Sequence, residues 1–155
     1  MTQQLRAGDP APALALADHE GREVDLAGLR GRRVIVYFYP KAFTPGCTSE
    51  ACDFRDNLAS LESLGYTVLG VSADDRQTLA RFAEEHALPY RLLSDPESAT
   101  ARAWGAWGEK SVGGETRVGP LRSTFVVDEQ GTIASAEYDV QAQGHVARLR
   151  EQLAA

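Results

Sequence analysis

An apolar run from Val34 to Tyr39, ended by Pro40 and followed by Thr44-Pro45-Gly46-Cys47, constrains this 155-residue chain more than any other stretch. The run is rich in β-branched and aromatic residues, which predicts a buried strand. Thr44-Pro45 then predicts a helix start. A threonine oxygen at the N-cap is expected to accept from the Cys47 amide, and proline suits the first helical position. Cys47 falls in the first turn, where backbone N–H groups lack intrahelical partners and present positive ends outward. A thiol in that place is favoured as thiolate, the form that attacks.

The phase of the helix sharpens this. At 100° per residue, Cys47 shares a face with Ala51, Phe54, Leu58 and Leu61. That apolar stripe faces the protein and puts Cys47 at the wall of a pocket. Cys52 is rotated from Cys47 by roughly 140°, and five residues of regular helix set the two Cα atoms roughly 8–9 Å apart. A disulfide needs less than about 7 Å. The two cysteines are therefore either an unpaired couple or a redox couple whose bond formation moves the structure.

A length of 155 residues predicts one domain over 1–155, large enough for a core without disulfide staples. Hydrophobic residues make up 43% and charged residues 25%, an ordinary globular balance. The net charge of −6 argues against nucleic acid and anionic membrane as partners, since both want a basic face. No apolar run approaches the roughly 20 residues of a membrane span. The residues Met1 to Arg6 lack the apolar core of a signal peptide. The expected setting is a reducing cytoplasm, where two cysteines are catalytic or redox-active more often than structural.

Along the chain, Leu14, Leu16 and Val24-Asp25-Leu26 predict short strands around the turn at Asp18 to Gly21. The Cys47 helix is expected to end near Leu64 with Gly65 at C′. Tyr66 to Ser72 reads as a strand, and Asp74 or Asp75 as the cap of a helix over 76–87. Tyr90 to Leu93 is a further strand, and Asp95-Pro96 opens a short helix through Trp104. Residues 105–120 hold five glycines without clear periodicity and read as a loop on the side of the site. Ser123 to Val127 and Thr132 to Tyr138 read as a hairpin, and 143–154 as the last helix. The order predicts an α/β fold, a mixed β-sheet with helices on both faces.

Pro40-x-x-x-Thr44-x-x-Cys47 resembles the active-site motif of the peroxiredoxins. The longer stretches Tyr39-Pro40-Lys41, Thr44-Pro45-Gly46-Cys47-Thr48 and Glu50-Ala51-Cys52-Asp53-Phe54-Arg55-Asp56 resemble the bacterioferritin-comigratory-protein (PrxQ) branch, as does Leu121-Arg122-Ser123-Thr124-Phe125-Val126-Val127-Asp128. The resemblance covers nearly the whole chain and implies a thioredoxin-like fold. It implies that Cys47 attacks the O–O bond of a hydroperoxide and becomes a sulfenic acid. It implies that Cys52 resolves this acid into an intramolecular disulfide, which thioredoxin or a similar dithiol protein reduces.

The resemblance further implies that Thr44 hydrogen-bonds the thiolate or the peroxide, that Pro40 shields the pocket, and that Arg122 stabilises the thiolate and polarises the peroxide. Arginine suits that duty because it stays charged and offers a fixed fork of donors. Glu50 is expected as a first-turn dipole and hydrogen-bond residue supporting the site. No metal, haem or flavin is implied. Cys-x₄-Cys alone cannot fill four zinc positions, and His19, His86 and His145 are expected as surface or capping residues. The working unit is expected to be a monomer, with a weak dimer as the alternative.

Phe43 is bulkier than the residue expected before the threonine, and Ser111 to Pro120 is richer in glycine than expected of a relative. A non-enzymatic redox sensor using the same sulfenic acid is the rival class, separable by catalytic turnover. An inert thioredoxin-like module is a third, separable by the absence of fast chemistry at Cys47.

Overall fold

The computed structural model describes residues 4–154. Strands β1 (Ala15–Ala17) and β2 (Glu23–Asp25) pair antiparallel, with Leu16 opposite Val24. β3 (Arg33–Phe38) is the predicted apolar strand, buried at every position after its first. It leads through a short loop into α1 (Pro45–Ser63), which starts at Pro45 as expected. Gly65 follows with φ +91°, the left-handed conformation that a C′ glycine adopts without steric cost.

β4 (Tyr66–Ser72) and α2 (Arg76–Glu85) come next. Of the two candidate caps it is Asp75 that serves, its carboxylate accepting from Thr78 N–H at 2.8 Å. β5 (Arg91–Ser94) begins one residue later than predicted. The helix expected from Asp95 to Trp104 is shorter: Glu97 and Ser98 turn left-handed, and α3 covers only Ala99–Ala103. The reason is Asp95. Its buried carboxylate accepts from the N–H groups of both Thr100 and Ala101 at 2.9 Å, and the intervening residues bulge to let it reach.

Residues 105–120 are not a loop. β6 (Trp107–Val112) and β7 (Glu115–Pro120) form an antiparallel hairpin, closed by Gly113 and Gly114 with φ +60° and +85°. Two positive φ values in a two-residue turn match the twist of the flanking strands. Most of β7 is exposed, so no buried face imprints an alternation on its sequence. β8 (Ser123–Val127), β9 (Ile133–Glu137) and α4 (His145–Ala154) complete the chain.

The main sheet runs β5-β4-β3-β8-β9. β3, β4 and β5 are mutually parallel, while β8 and β9 run antiparallel, so the sheet is mixed. Alternation along β3 divides the core. Ile35 and Tyr37 pack with α1, α2 and α4, through Phe54, Leu61, Leu79, Phe82 and Val146. Val34, Val36 and Phe38 pack with Leu14, Val24, Trp104 of the α3 end, and Phe125. Helices thus cover both faces, three on one side, and α3 with the β1–β2 hairpin on the other. The carboxyl ends of β3 and β4 and the entry to β8 meet at one end of the sheet, beside the start of α1.

Candidate active site

The loop between β3 and α1 is held from three directions. Ala42 N–H donates to Asp74 Oδ2 at 2.8 Å, and Ser72 Oγ donates to the same oxygen at 2.7 Å. Phe43 has φ +68°, costly for a bulky residue, and its ring packs edge-on to Phe82 at 5.0 Å. Thr44 sits at the N-cap with extended backbone, but its hydroxyl makes no cap hydrogen bond. It donates instead to the Lys41 carbonyl at 2.7 Å. The expected bond from Cys47 N–H to Thr44 is therefore absent, because the tight 41–44 turn draws the hydroxyl backwards. Pro40 stands half-buried just past the end of β3.

Cys47 is 1% exposed, at the first turn of α1, and Cys52 further along the helix is partly exposed; both are free thiols. Arg122, one residue ahead of β8, reaches across the helix start. Its Nη1 donates to Glu50 Oε1 at 2.7 Å and its Nη2 to Cys47 Sγ at 3.4 Å. The arginine's own carbonyl accepts from Val140 N–H at 2.9 Å, which fixes its backbone. A Cβ on Gly46 would lie 3.1 Å from Arg122 Nη2, so the glycine leaves room for this approach.

Glu50 is fully buried. Burial pushes its carboxyl up to about 7, against the pull of Arg122. Among the described residues its Oε2 has no hydrogen-bond partner.

The structure therefore brings Cys47, Glu50 and Arg122 into contact, sets Thr44 at the helix start, and leaves Cys52 apart from them as a separate thiol. His145 departs from expectation. It is 1% exposed, its Nε2 lies 2.8 Å from Thr124 Oγ1, and its Nδ1 faces Glu137 at 3.7 Å. Burial lowers its proton affinity below the ordinary histidine range. His19 is a part-buried acceptor for Leu92 N–H at 3.3 Å, and His86 caps the carboxyl end of α2. Among the described residues no group of three or more His, Cys, Asp or Glu could hold a metal ion, and no helix is long and apolar enough to cross a membrane.

Comparison with known proteins bears on this arrangement. The AhpC/TSA family matches residues 7–136. The chain is 45% identical over 141 residues to peroxiredoxin Bcp of Escherichia coli strain K12, covering 91% of this chain and 90% of that one. Among solved structures it is similar to Xanthomonas campestris peroxiredoxin Q, with a TM-score of 0.84 at 33% identity over 91% of this chain and 89% of that one. It is also similar to a mutant of Xylella fastidiosa PrxQ, with a TM-score of 0.90 at 26% identity over 98% and 97%.

The chain belongs to the peroxiredoxins, in their Bcp/PrxQ branch. The peroxiredoxin family consists of thiol-dependent peroxidases, and the fold is thioredoxin-like, as the resemblance implied. Two features of this peroxiredoxin site lie outside the motif. Lys110 of the β6–β7 hairpin donates to the Pro120 carbonyl at 2.9 Å, two residues before Arg122. Burial lowers its proton affinity, and it stands in the field of Cys47 and Arg122. Asp74 is the other, as anchor of the 41–44 loop. Neither had a signal in the sequence, since a surface lysine and a candidate helix cap look the same whatever they touch.

Proposed function

We propose that this peroxiredoxin reduces hydrogen peroxide and organic hydroperoxides with Cys47 as its peroxidatic cysteine and Cys52 as its resolving cysteine. The Cys47 thiolate attacks the hydroxyl oxygen of the peroxide. The O–O bond breaks, Cys47 becomes a sulfenic acid, and the alkoxide or hydroxide leaves and takes a proton from solvent. The Cys52 thiolate then attacks the sulfenic sulfur; the S–S bond forms and hydroxide leaves as water after protonation. A dithiol protein of the thioredoxin kind reduces the disulfide, itself becoming oxidised.

The observation that carries this reading is the guanidinium of Arg122 held between Cys47 Sγ and Glu50 Oε1. A permanent cation with donors in a fixed fork supports both the thiolate and the charge that develops on the leaving oxygen. Glu50 orients that fork. Thr44, its one proton committed to Lys41, offers its oxygen to accept from the peroxide O–H. Pro40 screens the sulfur from bulk water. A related protein, the Xanthomonas campestris bacterioferritin comigratory protein, has been described for alkyl peroxide reduction, which favours organic hydroperoxides as substrates. Both cysteines of the disulfide step lie on one chain, so that step needs no second copy, and the chemistry calls for no metal, haem or flavin.

The test is NADPH consumption by thioredoxin reductase and thioredoxin in the presence of this protein and peroxide. Peroxide-dependent turnover that vanishes in Cys47→Ser is expected. Turnover that persists in the variant overturns the assignment.

A further inference from the structure

Below the site, two buried tyrosines reach the helix that carries both cysteines. Tyr90 Oη donates to the Ala51 carbonyl at 2.8 Å, and the Tyr37 and Tyr90 hydroxyls lie 2.7 Å apart. A carbonyl only accepts, so the Tyr90 proton goes to Ala51 and Tyr37 donates to Tyr90. Both tyrosines belong to the core, and the Tyr37 ring is sandwiched. It stacks on Phe54 at 4.4 Å, while a Cβ on the facing Gly70 would lie 2.9 Å from it. One turn on, Arg55 Nη1 donates to the His86 carbonyl at 2.7 Å. Residues 86–90 therefore grip α1 at two successive turns, Ala51 and Arg55. Amino-terminal to Ala51, its contacts with Arg122 run through Cys47, which oxidation alters, and through Glu50.

We infer that Tyr90 is a positioning residue that sets where the unwinding of α1 stops during disulfide formation. The inference rests on the proposed Cys47–Cys52 bond. That bond requires the first turns of α1 to open, because regular helix holds the two sulfurs apart. With Ala51 pinned to the core, the residue before Cys52 stays in place and Cys47 makes the journey. In a helix, N–H of residue i bonds the carbonyl of residue i−4. Unwinding of residues 45–50 frees the amides up to Phe54, and the Arg55 amide, bonded to the pinned Ala51 carbonyl, is the first to stay closed.

Hydrogen exchange read residue by residue on reduced and oxidised protein tests this, with intact mass confirming that oxidation removes two hydrogens. In oxidised wild type, protection is expected to be lost through Phe54 and kept from Arg55 onward. In oxidised Tyr90→Phe, which keeps the ring, protection of the Arg55 amide is expected to fall about fivefold, the worth of one buried hydrogen bond. Tyr37→Phe removes a hydroxyl from the same cluster but leaves Tyr90 bonded to Ala51, and is expected to keep the edge at Arg55. If both variants shift the edge alike, the cause is a loosened core and the pin is wrong. If the disulfide forms in wild type but exposes amides past Arg55, the pin is likewise wrong while the proposed cycle stands. If no disulfide forms, the proposed cycle fails and the pin with it.

Discussion

Arg122 Nη2 stands 3.4 Å from Cys47 Sγ, although 75 residues separate them along the chain. The approach depends on Gly46 leaving space beside the first turn of α1, and on Glu50 accepting the other arm of the guanidinium at 2.7 Å. A buried thiol, a buried carboxyl and one cation make a compact unit in which changing any member alters the surroundings of the other two.

Replacing Cys47 by serine is expected to abolish peroxide reduction while leaving the fold intact, since a hydroxyl nearly fills the volume of the thiol. Coupled NADPH oxidation and circular dichroism check the two halves. Activity near the wild-type level excludes Cys47 as the attacking group.

Arg122→Met is expected to slow oxidation of Cys47 on the order of 10²-fold, as for other losses of a preorganised donor. Stopped-flow measurement of the second-order rate with peroxide gives the number. An unchanged rate assigns the duty to another cation.

Glu50→Gln is expected to flatten the dependence of stability on pH. Burial raises this carboxyl to about 7 in the folded chain, above its ordinary 4.5. Between these values the native state holds a proton that the unfolded chain has lost, so the stability from Glu50 is complete below about pH 4.5 and drains as pH rises through about 7. His145, lowered by burial, loses stability in the opposite direction, as pH falls below its ordinary 6.5. Urea unfolding of wild type and variant at matched pH values cancels the histidine. Parallel curves across pH 4.5–7 contradict the assignment to Glu50.

Cys52→Ser is expected to consume one peroxide per chain and stop at the Cys47 sulfenic acid, passing to the sulfinic acid at higher peroxide. Intact mass after graded peroxide addition reads each step. Sustained turnover with thioredoxin would give the resolving duty to some other thiol.

Gly70→Ala is expected to destabilise the fold by about 1–3 kcal/mol, the range for overpacking a filled core. Its Cβ would meet Tyr37 Cζ at 2.9 Å, at the hydroxyl end of a rigid ring that Phe54 and Tyr90 hold in place. A thermal or urea midpoint equal to wild type would show that the ring can yield.

What could be read directly from the residues was local. The apolar strand before Pro40, the helix opening at Pro45, the glycine at 65 and a cap at Asp74 or Asp75 follow from backbone chemistry within a few positions, and the fold chose Asp75. The motif around Cys47 carried the family for the same reason, because its residues are close in the chain as well as in space. Tertiary structure decided the rest. The hairpin at 107–120 packs too little of its surface to show a pattern, His145 is buried by strands that the sequence does not place beside it, and the Thr44 hydroxyl turns to Lys41 because the loop is drawn onto Asp74. Tyr90 and Ala51 lie 39 residues apart and meet only once β4, β5 and α1 have packed. Local propensities act over a turn or two of chain, whereas the direction of a hydroxyl or the proton on a buried carboxyl depends on what the fold places within a few ångströms.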